Sequence, residues 1–309
     1  MATQKEVKNR IASVKNIHKI TQAMEAVAAA RLRRAEERIG LLRPYAQEMR
    51  KLARRAAEEV GPGEVARVPV LVEREQVNAV GILLVTGDRG LAGAFNTNII
   101  REGVRLGDEV TSEGAEVSFS VVGRRGESSM TFRKFDLANA WKGFTDRPTF
   151  ANAREIGAAL TDAYEDEELD RVELVYNRYV SPLTQYVRRQ TLLPLQQAEV
   201  FGEAVDELAR AEPEETELTK AHHRSLWIYE PEPEELLARL IPEYANIMIY
   251  RALLESAASE HGARMTAMRN AADNAETMIE DLSLEMNRVR QAEITQEILE
   301  VVAGAEALG

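Results

Sequence analysis

The residues of this chain best suited to chemistry form a glycine-containing turn, residues 86–98. The turn follows an apolar run that ends at Val85 and precedes a predicted helix, which is where a phosphate group docks in an open α/β sheet. Its glycines are spaced G-x-x-G-x-x-G rather than G-x-G-x-x-G, and G-x-x-x-x-G-K-[ST] does not occur. We therefore interpret the segment as a tight turn with Asn96 or Thr97 near a helix N-terminus, and we predict no cofactor.

The histidines indicate no catalytic or metal site. His222 and His223 are adjacent and offer two metal ligands, but no third ligand is spaced with them, so a surface loop is the favoured interpretation. His18 and His261 fall in or beside long apolar seams, where a packing role is favoured. No Ser/His/Asp arrangement stands out. The sequence predicts neither a catalytic residue nor a bound metal.

Strands and helices in the middle of the chain must position the turn. Short apolar runs alternate there with helical patterns, which is typical of a parallel or mixed Rossmann-like sheet. We predict an α/β domain over residues 65–232, with an irregular acidic loop at 196–224. Its predicted strands span 80–85, 117–123, 171–176 and 184–193, and its predicted helices span 96–106 and 151–168.

The C-terminal segment, residues 233–309, has an apolar seam in strict 4-3 spacing. Such a repeat predicts a partner helix wound around it in a left-handed supercoil. At 1.5 Å per residue, residues 243–308 would extend roughly 100 Å, with Pro242 interrupting their start. The seam residues are Ile247, Arg251, Leu254, Ala258, His261, Met265, Met268, Ala272, Ala275, Ile279, Leu282, Met286 and Val289.

The predicted partner is the N-terminal segment, residues 1–60. Thr3 and Glu6 predict a capping box, Pro44 a kink, and the Gly-Pro-Gly sequence at 61–63 a helix end. The fold class is thus a long antiparallel coiled coil of the two terminal helices plus a central α/β domain. The predicted seam is Val7, Ile11, Val14, Ile17, Ile20, Met24, Val27, Leu32, Ala35, Ile39, Leu42, Tyr45, Met49 and Leu52.

Charge and composition support this pairing. Residues 1–58 hold 14 lysines and arginines against 6 carboxylates, whereas residues 234–309 hold 6 against 14, so the two helices are predicted to have complementary flanks. The chain of 309 residues has no cysteine and a net charge of −12, which argues against a disulfide framework and general nucleic-acid binding. No apolar stretch is long enough for a membrane span, and the first residues do not resemble a signal peptide, so we expect a cytosolic location.

The end of the C-terminal helix is predicted to lack an intrachain partner. If Met24 packs near Arg264, the N-terminal helix ends opposite about Leu282. The last residues remain apolar, with Ile294, Ile298, Val301, Val302 and Leu308. We therefore expect another protein to hold this end.

Four segments resemble the γ subunit of F-type ATP synthase. They are residues 10–35 (RIASVKNIHKITQAMEAVAAARLRRA), 88–98 (DRGLAGAFNTN), 259–268 (SEHGARMTAM) and 290–298 (RQAEITQEI). The matches occur in order, cover both ends and the middle, and together are highly specific.

The resemblance implies a non-catalytic rotor shaft at the cytoplasmic face of the cell membrane, one copy per complex. It implies that the shaft couples proton-driven rotation of the c ring to conformational changes in the catalytic β subunits, and that it regulates ATPase activity and proton flow. Its implied partners are the α3β3 ring, the ε subunit and the c ring. Implied ring-facing residues are Met24, Arg264, Arg290, Gln291, Thr295, Glu297 and Glu300, and the residues implied to face the c ring and ε are Trp227, Tyr229 and Glu230.

Two other functions compete with this one. A nucleotide-dependent enzyme built on the central sheet would bind a nucleotide as an isolated chain. A coiled-coil tether would need no matching ring and would tolerate changes in rod length.

Overall fold

The computed structural model describes residues 3–65, 68–196, 200 and 232–306. The two ends of the chain form long helices, and the sequence between them forms a five-stranded α/β domain. This architecture confirms the predicted fold class. The helices are α1 (Gln4–Val60), α2 (Pro62–Val65), α3 (Phe95–Ser112), α4 (Arg124–Phe132), α5 (Phe150–Glu165) and α6 (Pro233–Glu306). The strands are β1 (Ala79–Val85), β2 (Glu116–Val122), β3 (Leu137–Trp141), β4 (Arg171–Tyr179) and β5 (Gln185–Leu193).

Helix α1 begins and ends as the sequence predicts. The Thr3 hydroxyl accepts from the Glu6 backbone N–H, and the Glu6 carboxylate accepts from the Thr3 N–H, which completes the capping box. Gly61 follows the last turn with φ of 87°, a conformation that favours glycine. Pro44 lies inside α1 and Pro242 lies inside α6, and both helices are continuous. Pro242 therefore does not interrupt its helix, contrary to the prediction.

The seam of α6 packs as predicted, whereas five residues of the predicted α1 seam are exposed: Ile17, Ile20, Val27, Tyr45 and Leu52. Ile17, Ile20 and Val27 are more than half exposed, with values of 53%, 58% and 53%. The buried side of α1 instead includes Thr21 and Ala28 between Ile11 and Leu32. A strict 4-3 step from Ile11 passes through polar positions there, so choosing the most apolar residues selected the wrong face.

The register of the coiled coil also differs from the predicted one. Arg269 is ion-paired with Glu25 at 2.8 Å, which places Met24 beside the turn of Arg269 rather than that of Arg264. The Gln4 backbone N–H donates to the Glu293 carboxylate, so α1 extends alongside α6 as far as Glu293 and not only to Leu282. Among the described residues, the part of α6 without an intrachain partner therefore begins near Ile294. The Arg269–Glu25 pair also runs opposite to the predicted charge pattern, since its acid lies on the basic helix.

The sheet has the strand order β3-β2-β1-β4-β5, parallel except for the antiparallel pairing of β4 with β5. All four predicted strands and both predicted helices are present, with ends that differ by a few residues. The sequence prediction missed α4 and β3. Both are short, and β3 alternates between half-buried and exposed side chains, so neither has a strong apolar pattern.

The sheet separates two hydrophobic layers. One face packs against α3, with Ile99 and Phe119 in its core. The other packs against α5 and the lower parts of α1 and α6, with Ile156 and Ile249 in its core. The long helices are therefore joined to the domain through a large apolar contact. Among the described residues, no helix combines the length and hydropathy needed to cross a membrane.

Candidate functional site

Helix α6 crosses the carboxyl ends of β1 and β4, the point at which the strand order reverses. Ligands of open α/β sheets bind in this crevice. Here the Ser256 hydroxyl accepts from the Asn177 N–H at 3.3 Å and donates to the Val85 carbonyl at 3.5 Å. The Ser259 hydroxyl donates to the Asn177 carbonyl at 3.3 Å. Helix α6 therefore occupies the crevice that a ligand takes in related sheets, and we call this contact the docking joint.

The glycine-containing turn supplies the other half of the docking joint. The Asp88 carboxylate accepts from the backbone N–H groups of Arg124, Gly143 and Thr145 at 2.9 to 3.2 Å, and also from the Thr145 hydroxyl. Asn96 lies in the first turn of α3, near the helix N-terminus as predicted, but it does not cap the helix: the N-cap is Ala94, and the Asn96 side chain accepts from the Gly87 N–H at 2.8 Å. The Asp88 N–H of the turn donates to the Thr145 hydroxyl at 2.8 Å, so the turn's polar groups are bonded within the chain.

Helix α6 approaches the turn closely at Gly87, so a side chain at this position would have to displace a buried carboxylate. A Cβ atom there would lie 2.7 Å from the carboxylate of Glu260. Burial acts to raise the pKa of Asp88, but the hydrogen bonds from Gly143, Thr145 and Arg124 outweigh it and lower the pKa below its usual value. Asp88 thus stabilises the fold as a carboxylate, and this contribution is lost as the pH falls through its lowered pKa.

Replacing Asp88 with asparagine is expected to lower the free energy of unfolding by about 1.5–3 kcal/mol at neutral pH. The asparagine NH2 group would face backbone N–H donors that need an acceptor, and the negative charge of the carboxylate that accepts from them would be absent. Chemical denaturation of the full chain measures the change. Asp108→Asn removes the same charge from an exposed position on α3 and should change stability by less than about 0.5 kcal/mol. Equal losses for both variants would contradict a role for Asp88 in the turn.

A buried ion pair lies beneath the turn. The side chains of Glu260 and Arg264 are only 2% and 10% exposed and are paired at 2.5 Å. Arg264 also donates to the Gly90 carbonyl at 3.1 and 3.3 Å, which ties α6 to the turn. Burial raises the pKa of Glu260, and the attraction of Arg264 opposes that rise. This pair therefore depends on its geometry, because either charge alone would be buried without compensation.

His261 is buried beside the ion pair, in the packing role that the sequence predicted. Burial, with repulsion from Arg264, lowers the pKa of His261 to about 4, so the ring is neutral at physiological pH. One ring nitrogen lies 3.5 Å from Arg264 and the other 3.4 Å from the Asp146 carbonyl. The histidine thus adds no charge next to an arginine that is already buried.

The predicted ring-facing residues fall in three environments. Arg264 lies inside the chain and is occupied by Glu260 and Gly90. Met24 is half-buried beside the exposed α1 stripe of Ile17, Ile20 and Val27. The remaining residues, Arg290, Gln291, Thr295, Glu297 and Glu300, are exposed near the end of α6.

The free end of α6 is apolar as well as exposed. Ile294, Ile298 and Val301 are 44%, 57% and 72% exposed. The Thr295 hydroxyl donates to the Gln291 carbonyl at 2.9 Å, a contact within the helix that involves no partner. An apolar helix end that is exposed to solvent, together with the exposed α1 stripe of Ile17, Ile20 and Val27, indicates a surface that another protein covers.

The residues predicted for the site and those that form the docking joint overlap only in part. Trp227, Tyr229 and Glu230, like His222 and His223, lie outside the described residues. Sequence reasoning did not identify Asp88, Ser256, Ser259 or Glu260 as the docking joint. The available signal was the occurrence of polar residues in a helix segment that is otherwise apolar and close to the seam.

The similarity to known proteins extends over nearly the whole chain. A family model described as "ATP synthase" matches residues 3–308. The chain is 43% identical over 308 residues to the ATP synthase gamma chain of Rubrobacter xylanophilus, covering 100% of this chain and 99% of the relative. It is 41% identical over 305 residues to the ATP synthase gamma chain of Streptomyces avermitilis, covering 97% and 94%.

Solved structures show the same similarity. The central stalk and c-ring structure of the Tetrahymena thermophila mitochondrial ATP synthase contains a chain with a TM-score of 0.57 and 25% identity, over 82% of this chain and 99% of that one. A chain of the Euglena gracilis mitochondrial ATP synthase has a TM-score of 0.63 over 99% of this chain and 94% of that one. At 18% identity, the second similarity shows the fold alone.

Proposed function

The chain belongs to the gamma-chain family of ATP synthases, whose members form the central stalk, and on this premise we propose how it acts as the rotor shaft of the F1 sector. It couples proton-driven rotation of a c ring to conformational changes in catalytic β subunits. The chain itself is non-catalytic, and ATP is made or hydrolysed on the β subunits. Through the same coupling it regulates ATPase activity and proton flow.

The observation that carries this proposal is the shape of α6. The helix is joined to the α/β domain at the docking joint, runs beside α1 to Glu293, and continues to Glu306 without a partner among the residues that the structure describes. One side of α6 carries the apolar seam that packs on α1, and the other side is exposed to solvent. A single asymmetric shaft in a ring of three equivalent sites meets each site with a different face. Differential binding of those faces to open and closed sites then couples rotation to chemistry.

The partners that we propose are those implied by the resemblance to the γ subunit. We assign the contact with the α3β3 ring to the exposed end of α6 from Arg290 onward and to α1 beside its exposed stripe, through Met24, Arg290, Gln291, Thr295, Glu297 and Glu300. Arg264 acts from inside the chain by holding the turn against the shaft. The segment of Trp227, Tyr229 and Glu230 is assigned to the ε subunit and the c ring. One copy per complex sits at the cytoplasmic face of the cell membrane.

Direct observation of rotation tests the rotor role. The chain has no cysteine, and Ser112 is exposed at the end of α3, so Ser112→Cys places one probe on the globular domain. The probe is attached in a complex whose α and β subunits are fixed to a surface. ATP-driven rotation of the probe is expected. A probe that stays still while the complex hydrolyses ATP would contradict the rotor role and favour a static coiled-coil tether.

Truncation of the free end should have graded effects. Deleting residues 304–309 is expected to leave assembly and ATP hydrolysis largely intact, because the helix end before them remains. Deleting residues 290–309 removes Arg290, Gln291 and Thr295, and each charge-assisted hydrogen bond lost with the ring would cost about 1.5–3 kcal/mol of coupling. Torque and hydrolysis rate of the assembled complex measure the difference. Equal behaviour of the two truncations would show that residues 290–303 make no important contact.

A further inference from the structure

A cavity of about 120 Å³ lies between α1, α6 and the segment that precedes α5. Its floor is apolar and includes Leu254, while its walls contain Arg31, Arg34, Arg38 and Arg147. We propose that this cavity binds a small, multiply charged oxyanion of the phosphate class. The proposal does not rest on the rotor role, because the free chain carries the complete cavity.

The charge around the cavity is strongly unbalanced. Four arginines line it with a single acidic residue, Asp146, whose carboxylate is paired with Arg31 at 2.8 Å. Gathering like charges around one space is unfavourable without a counter-anion. This concentration of positive charge occurs in a chain whose net charge is −12. The local field therefore attracts an anion to a protein that repels anions overall.

The remaining arginines are available for a ligand. Within the described part of the chain, Arg34, Arg38 and Arg147 form no ion pair with a carboxylate, and their side chains reach the cavity from exposed positions. Arginine presents a planar fork of donors that binds the oxygens of phosphate in pairs. Forks from α1 and from the segment before α5 would contact the anion from two sides.

The size of the cavity favours a small anion. A water molecule needs about 10–15 Å³ of such space, so the cavity has room for several waters or for one tetrahedral oxyanion. The apolar floor formed with Leu254 offers no competing hydrogen-bond acceptor, so it leaves the arginines to define the site.

Calorimetric titration of the full-length chain with inorganic phosphate tests the proposal. Ionic strength is held constant with chloride, which removes general screening as a cause of binding. We expect one phosphate per chain, with Arg38→Gln and Arg147→Gln each weakening its affinity about tenfold, because each removes a charge-assisted contact. Thermal melting without phosphate checks that both variants remain folded.

Arg33→Gln is the matched control. Arg33 is exposed on α1, about 200° around the helix from Arg31, so it points away from the cavity. Its replacement removes the same charge from the same helix and should leave phosphate affinity unchanged. The proposal would be overturned by the absence of binding, by unchanged affinity in Arg38→Gln and Arg147→Gln, or by an equal loss in Arg33→Gln.

Discussion

Replacing Arg264 with methionine is expected to lower the free energy of unfolding by about 3–5 kcal/mol at neutral pH. The change leaves the Glu260 carboxylate buried without its cation and also removes the hydrogen bonds to the Gly90 carbonyl. Chemical denaturation of the full chain measures the loss. Arg269→Met is the matched control, because Arg269 lies on the same helix in an ion pair with Glu25 and its side chain is 52% exposed. That variant should lose at most about 1 kcal/mol.

The pH dependence of the Arg264→Met variant gives an independent check. The pKa of Glu260 is already raised by burial, and removing Arg264 takes away the attraction that opposes this rise. An acid whose pKa is higher in the folded state is most stabilising below its unfolded pKa, and that stability is lost as the pH rises through the folded pKa. The difference in free energy of unfolding between the parent chain and the Arg264→Met variant should therefore shrink as the pH is lowered from neutral. A double variant, Glu260→Gln with Arg264→Met, should recover part of the loss, and its failure to do so would place the cost elsewhere.

Replacing Leu282 with aspartate is expected to destabilise the coiled-coil segment where α6 packs on the start of α1. The free energy needed to open this segment should fall by about 2–5 kcal/mol. Leu282 is 7% exposed and packs with Val7, Ile11, Val14 and Met286, so the new carboxylate would be buried among apolar groups. Leu254 is a less clean position for this test, since it lines the arginine cavity where a carboxylate would find partners.

Amide hydrogen exchange along the two helices measures this effect, because the coiled-coil end can open without unfolding the central domain. Leu284→Asp provides the control: the same substitution two residues away, at a side chain that is 60% exposed. Its exchange rates should match those of the parent chain. If Leu282→Asp and Leu284→Asp open equally, the 4-3 seam is not the packing surface.

The periodic parts of the structure could be predicted because each signal is local. The seam from Ile247 to Val289 repeats with the helix itself, and the capping box of Thr3 and Glu6 lies within one turn. The strands at β1 and β4 are short apolar runs bounded by turn residues. The four segments that resemble the γ subunit are also local signals, and together they were specific enough to indicate the family.

Prediction failed where hydrophobicity and packing diverge. Ile17, Ile20 and Val27 are the most apolar choices in their part of α1, yet the supercoil buries Thr21 and Ala28 instead. A coiled coil keeps one face toward its partner over its whole length, so the phase set by Val7, Ile11, Leu32 and Ala35 decides what is buried between them. Apolar residues off that phase remain on the surface, which is consistent with a second protein covering them.

The sequence by itself determined the two long helices, their antiparallel pairing, the alternating α/β domain and the family. Only the tertiary structure decided the register that extends α1 to Glu293, the burial of Arg264, and the grouping of arginines around one cavity. Arg264 meets Gly90 across 174 positions of the chain, and Arg31 meets Asp146 across 115. Contacts so distant in sequence leave no periodic trace in the residues between them. They form only when the sheet, the domain core and the coiled coil close together, because that closure sets which polar groups lose water and must find partners.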